Sequence, residues 1–318
     1  MKLKDIGERS IIRKLALDNK NDDCYIMEFN DNYILVSTDI ITGKTHIPEG
    51  ASPELAGKFF AAINLSDIAA MAGIPEGFLV SLSISPEYDI EYLEKFYSGI
   101  KKELKKFNAK IIGGDTKEGD GFTASGTIIG KQEYNLIRKR SYIGEGQYLM
   151  VTGLHGSSGS GYIFYKYNHN KPYGIKKMLD IEPKINEAII ISKAGAQFMM
   201  DLSDGIYASV YQMKNDYNIG FKIYNDKIKI DNDVYKASEI SGFSVDDISL
   251  SFGGDYELMF TVNKNSYDSF MKVMDENKIN AYCIGETYKG DNMLYSNGSW
   301  DVIKKQGFEH FHTYPLNK

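Results

Sequence analysis

Six aspartates carry the chemistry this chain could do. Asp23 precedes a strand-like run, Asp39 follows another, Asp67 lies inside an apolar helix, Asp115 follows two glycines, and Asp201 and Asp204 bracket Leu202-Ser203. A carboxylate within an apolar helix must find a cation or several donors. Brought together at neutral pH, these groups would repel one another. Divalent cations reconcile them, and a ligand set of oxygens, with His and Cys nearly absent, selects Mg²⁺ or Mn²⁺ over zinc. Mg²⁺ held by carboxylates normally bridges them to substrate phosphates, so the inferred chemistry is metal-dependent work on phosphates. Alignment and charge neutralisation suffice for it. Central to this reading is Ile111-Ile112-Gly113-Gly114-Asp115-Thr116. Two glycines let a backbone approach a bulky ligand, and Asp115 would hold a cation beside it. Taken alone, Gly-Gly-Asp reads equally as a turn closed by an Asx side chain.

The elements that must position these residues follow from pattern. A short helix is expected over 6–16. A hairpin is expected from strands over 24–29 and 33–36 around Asn30-Asp31-Asn32, ending in Ser37-Thr38-Asp39. Asp22 and Asp23 enter its first strand and Asp39 leaves its second, which makes them neighbours; Asp22 and Asp23 read equally as turn residues. Ser52 followed by Pro53 starts a helix running to about residue 72. Phe60, Asn64 and Asp67 share one face of it. A strand over 78–84 and a helix over 90–107 follow. Lys101, Lys102, Lys105 and Lys106 form the helix's solvated face, and Tyr97 lies on the other side. A strand over 110–112 then ends in the Gly-Gly-Asp motif, and another spans 123–130. Strands alternating with two long helices give an α+β or split βαβ pattern.

Residues 131–147 read as a connector holding the basic cluster Arg138-Lys139-Arg140. After a strand over 147–152, the Gly/Ser-rich run 153–161 suggests an anion site at a helix N-terminus. Walker A and Rossmann spacings are absent, and a flexible turn reads equally. Further helices are expected over 185–194, 206–213 and 266–276, and strands over 196–200, 258–262 and 281–284. Asp201-Leu202-Ser203-Asp204-Gly205 again puts carboxylates at a strand tip. His46 is the only histidine of the first half, and a lone histidine is usually a surface or satisfied polar residue.

The chain has 318 residues, 42% hydrophobic and 25% charged, enough for two cores. A net charge of -6 without a basic stripe argues against a nucleic-acid partner. Two cysteines without metal or redox spacing fit a reducing compartment. Neither a signal peptide nor an apolar run of about 18 residues is seen, so a cytoplasmic protein without a membrane span is expected.

Several motifs resemble those of the thiamine-monophosphate kinases, a family of the aminoimidazole ribonucleotide synthetase-like superfamily. They are Asp22-Asp23, Ser37-Thr38-Asp39, Gly43-x-x-His46, Asn64-Leu65-Ser66-Asp67-Ile68-Ala69-Ala70-Met71, Phe96-Tyr97-x-Gly99, Gly113-Gly114-Asp115-Thr116, Asp201-Leu202-Ser203-Asp204-Gly205 and Asp255-Tyr256-Glu257-Leu258. They run in order along nearly the whole chain. The resemblance implies an α+β fold of two domains, 1–135 for ATP, metal and dimerisation and 136–318 completing the substrate site. The first would be a mixed sheet with helices on one face, the second an α/β sandwich. It implies ATP-dependent phosphorylation of thiamine monophosphate to thiamine diphosphate, by direct in-line transfer and without a phospho-enzyme. Asp23, Ser37, Thr38, Asp39, Asp67, Asp115, Asp201 and Asp204 would hold several Mg²⁺ ions. Tyr97, Gly114, Asp115, Arg140 and Ser203 would contact ATP, and His46, Gly254 and Phe308 the thiamine phosphate. A homodimer through the first domains is implied.

Three residues depart from the family pattern. Asn21 replaces a glycine, and asparagine tolerates the left-handed turn. Gly254 stands where a substrate-contacting glutamate is usual. Phe308 replaces a common tryptophan and keeps a planar stacking ring. The metal set is intact while the acceptor set is altered. Two alternatives therefore stand beside the kinase: a related ATP enzyme with another acceptor, and a nucleotide-binding homologue without catalysis.

Overall fold

The computed structural model describes residues 11, 14, 15, 22–303 and 307. Asn21, Phe308 and most of the helix expected over 6–16 lie outside the described residues; residues 11, 14 and 15 are helical.

Among the described residues, the first unit from residue 22 onward is a five-stranded mixed sheet with two helices. Its elements are β1 (Tyr25–Phe29), β2 (Asn32–Thr42), α1 (Pro53–Ala70), β3 (Ile74–Ile84), α2 (Ile90–Lys105), β4 (Lys110–Glu118) and β5 (Phe122–Glu133), and the strand order is β1-β2-β5-β3-β4. Only β3 and β4 are parallel, and α2 provides the crossover that a parallel pair requires. The Ser52 side chain caps α1 by accepting from the Leu55 N–H at 3.2 Å, with Pro53 at the first turn. Where α1 crosses α2 the backbones nearly touch: a Cβ on Gly99 would sit 2.0 Å from the Glu54 carbonyl oxygen, and one on Gly57 would sit 1.9 Å from that of Phe96. Phe60 of α1 stacks on Phe96 of α2 at 5.7 Å and lies 5.3 Å from Phe78 of β3.

Two of the motifs lie inside strands that run further than the sequence pattern indicated. Ser37-Thr38-Asp39 lies inside β2 rather than at its end, and Gly113-Gly114-Asp115-Thr116 lies inside β4 rather than beyond its tip. Polar residues on one face of a sheet interrupt the apolar alternation without ending the strand. Gly114 owes its identity to the neighbouring strand, because a Cβ there would meet the Val80 carbonyl oxygen at 1.8 Å.

The second unit contains β6 (Gln147–Thr152), α3 (Ser157–Lys166), α4 (Lys171–Leu179), α5 (Ile185–Lys193), β7 (Met199–Asp201), α6 (Ile206–Tyr217), β8 (Gly220–Tyr224), α7 (Asp233–Ser241), β9 (Leu258–Asn263), α8 (Tyr267–Glu276), β10 (Ala281–Tyr288), β11 (Met293–Ser296) and β12 (Ser299–Val302). Its seven strands are ordered β12-β11-β8-β10-β6-β9-β7. Both sheet faces are covered: Met150 belongs to one apolar cluster, and its neighbours Leu149 and Val151 to another. The first of these clusters is continuous with the core beneath α1. Ion pairs also span the units, Lys58 with Glu182 at 2.7 Å and Lys106 with Glu182 at 2.8 Å. Together these make the α+β architecture of a mixed sheet with helices on one face joined to an α/β sandwich. Among the described residues no helix is long and apolar enough to cross a membrane.

Candidate functional site: a carboxylate cluster between the two sheets

Asp23, Asp67 and Asp201 converge, each offering a carboxylate oxygen within 4.8 Å of the others'. They arrive from three places: the entry to β1, the last turns of α1, and the end of β7. Serines fix two of them. Ser66, next to Asp67 on α1, donates from Oγ to Asp201 Oδ2 at 2.7 Å, and Ser37 of β2 donates from Oγ to Asp67 Oδ2. Asp39, two residues along β2 from Ser37, shares its sheet face. Its N–H donates to Asn64 Oδ1 at 3.3 Å. Arg140 supplies the buried cation. It donates from Nε to Asp23 Oδ2 at 3.1 Å and from Nη2 to Oδ1, while its N–H donates to Asp22 Oδ1 at 2.7 Å. Burial opposes the charge on Arg140, but Asp23 more than offsets this and keeps the guanidinium ionised.

The electrostatics express crowding. Burial and then the charge of Asp23 push Asp201 up to about 7. Burial, followed by Asp39, Asp201 and Asp23, holds Asp67 well above the usual carboxylate range. Burial raises Asp22 to about 6. Carboxylates gathered in this way with one arginine among them lack positive charge, and their donors are all hard oxygens. The arrangement fits Mg²⁺. Buried Cys24, whose Sγ donates to the Asp67 carbonyl at 3.4 Å, keeps its thiol protonated through burial and so is a poor competing ligand.

The remaining sequence candidates are placed as follows. Thr38 alternates with Ser37 and Asp39 and lies on the far face of the sheet, where its Oγ1 donates to the Gly126 carbonyl at 2.7 Å. Asp115 is on that far face too, since the register runs Ile40, Ser125, Ser81, Asp115. It is exposed on the edge strand, 3.3 Å from Lys117, and three strand spacings, roughly 14 Å, separate it from β2. Within one chain it does not join the cluster. Tyr97 is half-buried on α2, its ring edge-on to Phe96 at 6.2 Å. His46 lies in the turn after β2, where its Nδ1 accepts from the Thr42 N–H at 3.2 Å.

Ser203, Asp204 and Gly254 belong to two loops that zip together. The Leu202 N–H donates to the Glu257 carbonyl at 2.8 Å, the Gly254 N–H to the Ser203 carbonyl at 2.7 Å, and the Tyr256 N–H to the Leu202 carbonyl at 3.3 Å. Gly254 has φ +92°, and a Cβ there would lie 2.6 Å from Ser158 Oγ. The backbone shape of the loop therefore requires glycine at 254.

Two features escaped the sequence. The N-terminus of α3, read as an anion site, is already occupied by the chain's own carboxyl group: Asp255 accepts from the Gly156 N–H at 2.6 Å and the Ser158 N–H at 2.9 Å. Burial nevertheless raises Asp255 to about 7. The second is Tyr256. Its ring meets Phe59 of α1, and burial together with Asp39, Asp201, Asp204 and Asp67 raises its phenol. Only its place beside Asp255 in a short motif pointed to it.

The chain is similar to known proteins along most of its length. Residues 21–132 match the family model for the AIR synthase related protein N-terminal domain, and residues 144–294 that for the C-terminal domain. The thiamine-monophosphate kinase of Buchnera aphidicola subsp. Acyrthosiphon pisum is 34% identical over 301 residues, 91% of each chain. That of Methanocaldococcus jannaschii is 32% identical over 319 residues, 90% of this chain and 97% of the relative. The solved structure described as AaThiL complexed with AMPPCP and TMP superposes with a TM-score of 0.85 at 24% identity, over 98% of this chain and 99% of that one, which establishes the shared fold. From these matches, the chain belongs to the thiamine-monophosphate kinase family of the AIR synthase related proteins.

Proposed function

We propose that this protein transfers the terminal phosphoryl group of ATP to thiamine monophosphate, giving thiamine diphosphate. The observation that carries the reading is the convergence of Asp23, Asp67 and Asp201 from both units in a chain of this family. Asp23, Asp39, Asp67, Asp201 and Asp204 would hold Mg²⁺, with the Ser37 hydroxyl beside them. Bound there, Mg²⁺ neutralises phosphate charge and aligns donor and acceptor oxygens. Ser37 and Ser66 orient the Asp67 and Asp201 carboxylates, and Arg140 fixes Asp23. No side chain needs to act as nucleophile. Arg140, Ser203, Tyr97 and Gly114 are assigned to ATP, and His46, Gly254 and Phe308 to the acceptor.

A homodimer gives the far-face residues a role. That face of the first sheet exposes Tyr25, Met27, Phe29 and Ile40, with Phe29 59% and Ile40 56% accessible. Contiguous exposed apolar surface of this kind marks an interface. A second copy seated there would bring Asp115 and Thr38 into the assembly. The division into 1–135 and 136–318 is supported by the two sheets and by the break between the family matches. The assignment to the cytoplasm rests on the two free thiols.

The test is direct. Purified protein with ATP, Mg²⁺ and thiamine monophosphate should form thiamine diphosphate, and none when Mg²⁺ is chelated. Absence of product with the full mixture overturns the reading.

A further inference from the structure

The 180–184 segment between α4 and α5 touches both units. Its Asp180 and Glu182 grip Lys58 of α1, Glu182 at 2.7 Å. Two residues further on, Lys184 Nζ pairs with Glu257 Oε1 at 3.1 Å. Both partners are largely out of solvent, with side chains 22% and 12% exposed. The chain leaves room for the carboxylate, since a Cβ on Gly153 would lie 2.1 Å from its carbon. The other oxygen, Glu257 Oε2, accepts from Thr152 Oγ1 at 2.6 Å. That same hydroxyl oxygen accepts from the Leu258 N–H at 2.9 Å, which carries the β6–β9 ladder one rung past its last backbone pair, Val151 with Met259.

Glu257 and Leu258 hold the end of β7. That strand has three residues, stands at the sheet edge and pairs only with β9 among the described residues. Its last residue, Asp201, is in register with Leu258, and the Leu202 N–H donates to the Glu257 carbonyl at 2.8 Å. The contacts close into a ring: Lys58 of α1 to Glu182, Lys184 to Glu257, Glu257 and Leu258 to the end of β7, and Asp201 back to Ser66 of α1 at 2.7 Å. Lys58 and Ser66 lie roughly 12 Å apart along the helix axis. The ring thus grips α1 at two levels and sets how Asp201 faces Asp67. Mg²⁺ demands near-ideal octahedral geometry, and groups that orient its ligands govern how tightly it is held. We propose that Lys184 is a positioning residue: its ion pair with Glu257 holds the end of β7 so that Asp201 meets the ion shared with Asp23 and Asp67. The proposal rests on the kinase reading above and its Mg²⁺ site, and adds to it a residue outside the cluster.

Lys184→Met removes the charge and keeps most of the stem, and melting without Mg²⁺ checks that the variant folds. Calorimetric titration with Mg²⁺ alone should show binding about 10-fold weaker than wild type, the loss expected when a group orienting a metal ligand is removed. Lys184→Arg, which keeps the charge, should restore the affinity. Glu257→Gln, which keeps an acceptor for Thr152 and loses the ion pair, should weaken Mg²⁺ binding to the same extent, and the double variant should lose little more than either single one. Glu257→Gln also stands in for Lys184→Met if that variant folds poorly. A Mg²⁺ affinity within about twofold of wild type overturns the proposal even where the melting temperature falls, since a merely structural pair would lower only the latter. Failure of Lys184→Arg to restore Mg²⁺ binding overturns it too. The kinase reading fails separately, if wild type itself makes no thiamine diphosphate.

Discussion

Asp67 holds the cluster in tension. Desolvation and three neighbouring carboxylates work against its ionised form, and one serine hydroxyl works for it. Asp67→Asn relieves that repulsion, so the metal-free variant should melt a few degrees above wild type while kcat falls by about 10³ or more. Calorimetric melting with and without Mg²⁺ checks both halves, because stabilisation by the ion should shrink in the variant. Asp255 makes a second prediction. Its folded pKa of about 7 lies above the ordinary carboxylate value, so the folded chain keeps a proton that the unfolded chain has released. Its contribution to stability is therefore full below about pH 4 and is lost as pH rises towards 7, with a slope of up to about 1.4 kcal/mol per pH unit. Urea unfolding at pH 5, 6, 7 and 8 should show the stability difference between wild type and Asp255→Asn changing against wild type as pH rises. At this scale much was legible. A charge inside an apolar helix singled out Asp67, and a carboxylate at a strand tip singled out Asp201. Asp255 was hidden because capping is decided by a helix about a hundred residues away.

Elements obeyed their local signals where those were strong. Ser52-Pro53 placed the start of α1, and apolar runs placed β6 and β9. Among the elements missed were α4, α7, β11 and β12, which are short and rich in polar residues. Tertiary contact rather than sequence periodicity stabilises such segments. The full length of β4 was hidden for another reason: glycines read as strand breakers, whereas Gly114 is what allows β4 to approach β3. Gly114→Ala should cost about 1–3 kcal/mol through forced separation of these strands. Chemical denaturation measures the loss, and amide exchange should show it concentrated in β4.

For the molecule as a whole, the proposed dimer can be tested apart from catalysis. Ile40→Lys places a charge on the apolar far face and away from the carboxylate cluster. Sedimentation should show wild-type dimers and a monomeric variant with an intact circular dichroism spectrum. If Asp115 acts across the dimer, mixing inactive Asp115→Asn and Asp67→Asn proteins under exchange conditions should restore part of the activity, since hybrids contain one intact site. Sequence showed the aspartates but not the sheet face each would occupy, since this depends on pairing register, and a shift of one residue exchanges the faces.

The hydrogen bond from Ser66 to Asp201 joins the two units beside the candidate metal ligands. An ion held by Asp23, Asp67 and Asp201 would therefore serve as a fastener between the units, and part of its binding free energy would be spent on docking them. The strength of the fastening would then be set by cellular Mg²⁺, and the seam should loosen when the ion is withdrawn. Limited proteolysis makes this measurable: cleavage within the 134–146 connector should accelerate in chelator and slow again on return of Mg²⁺, whereas cleavage at the outer β12 edge should keep the same rate in both.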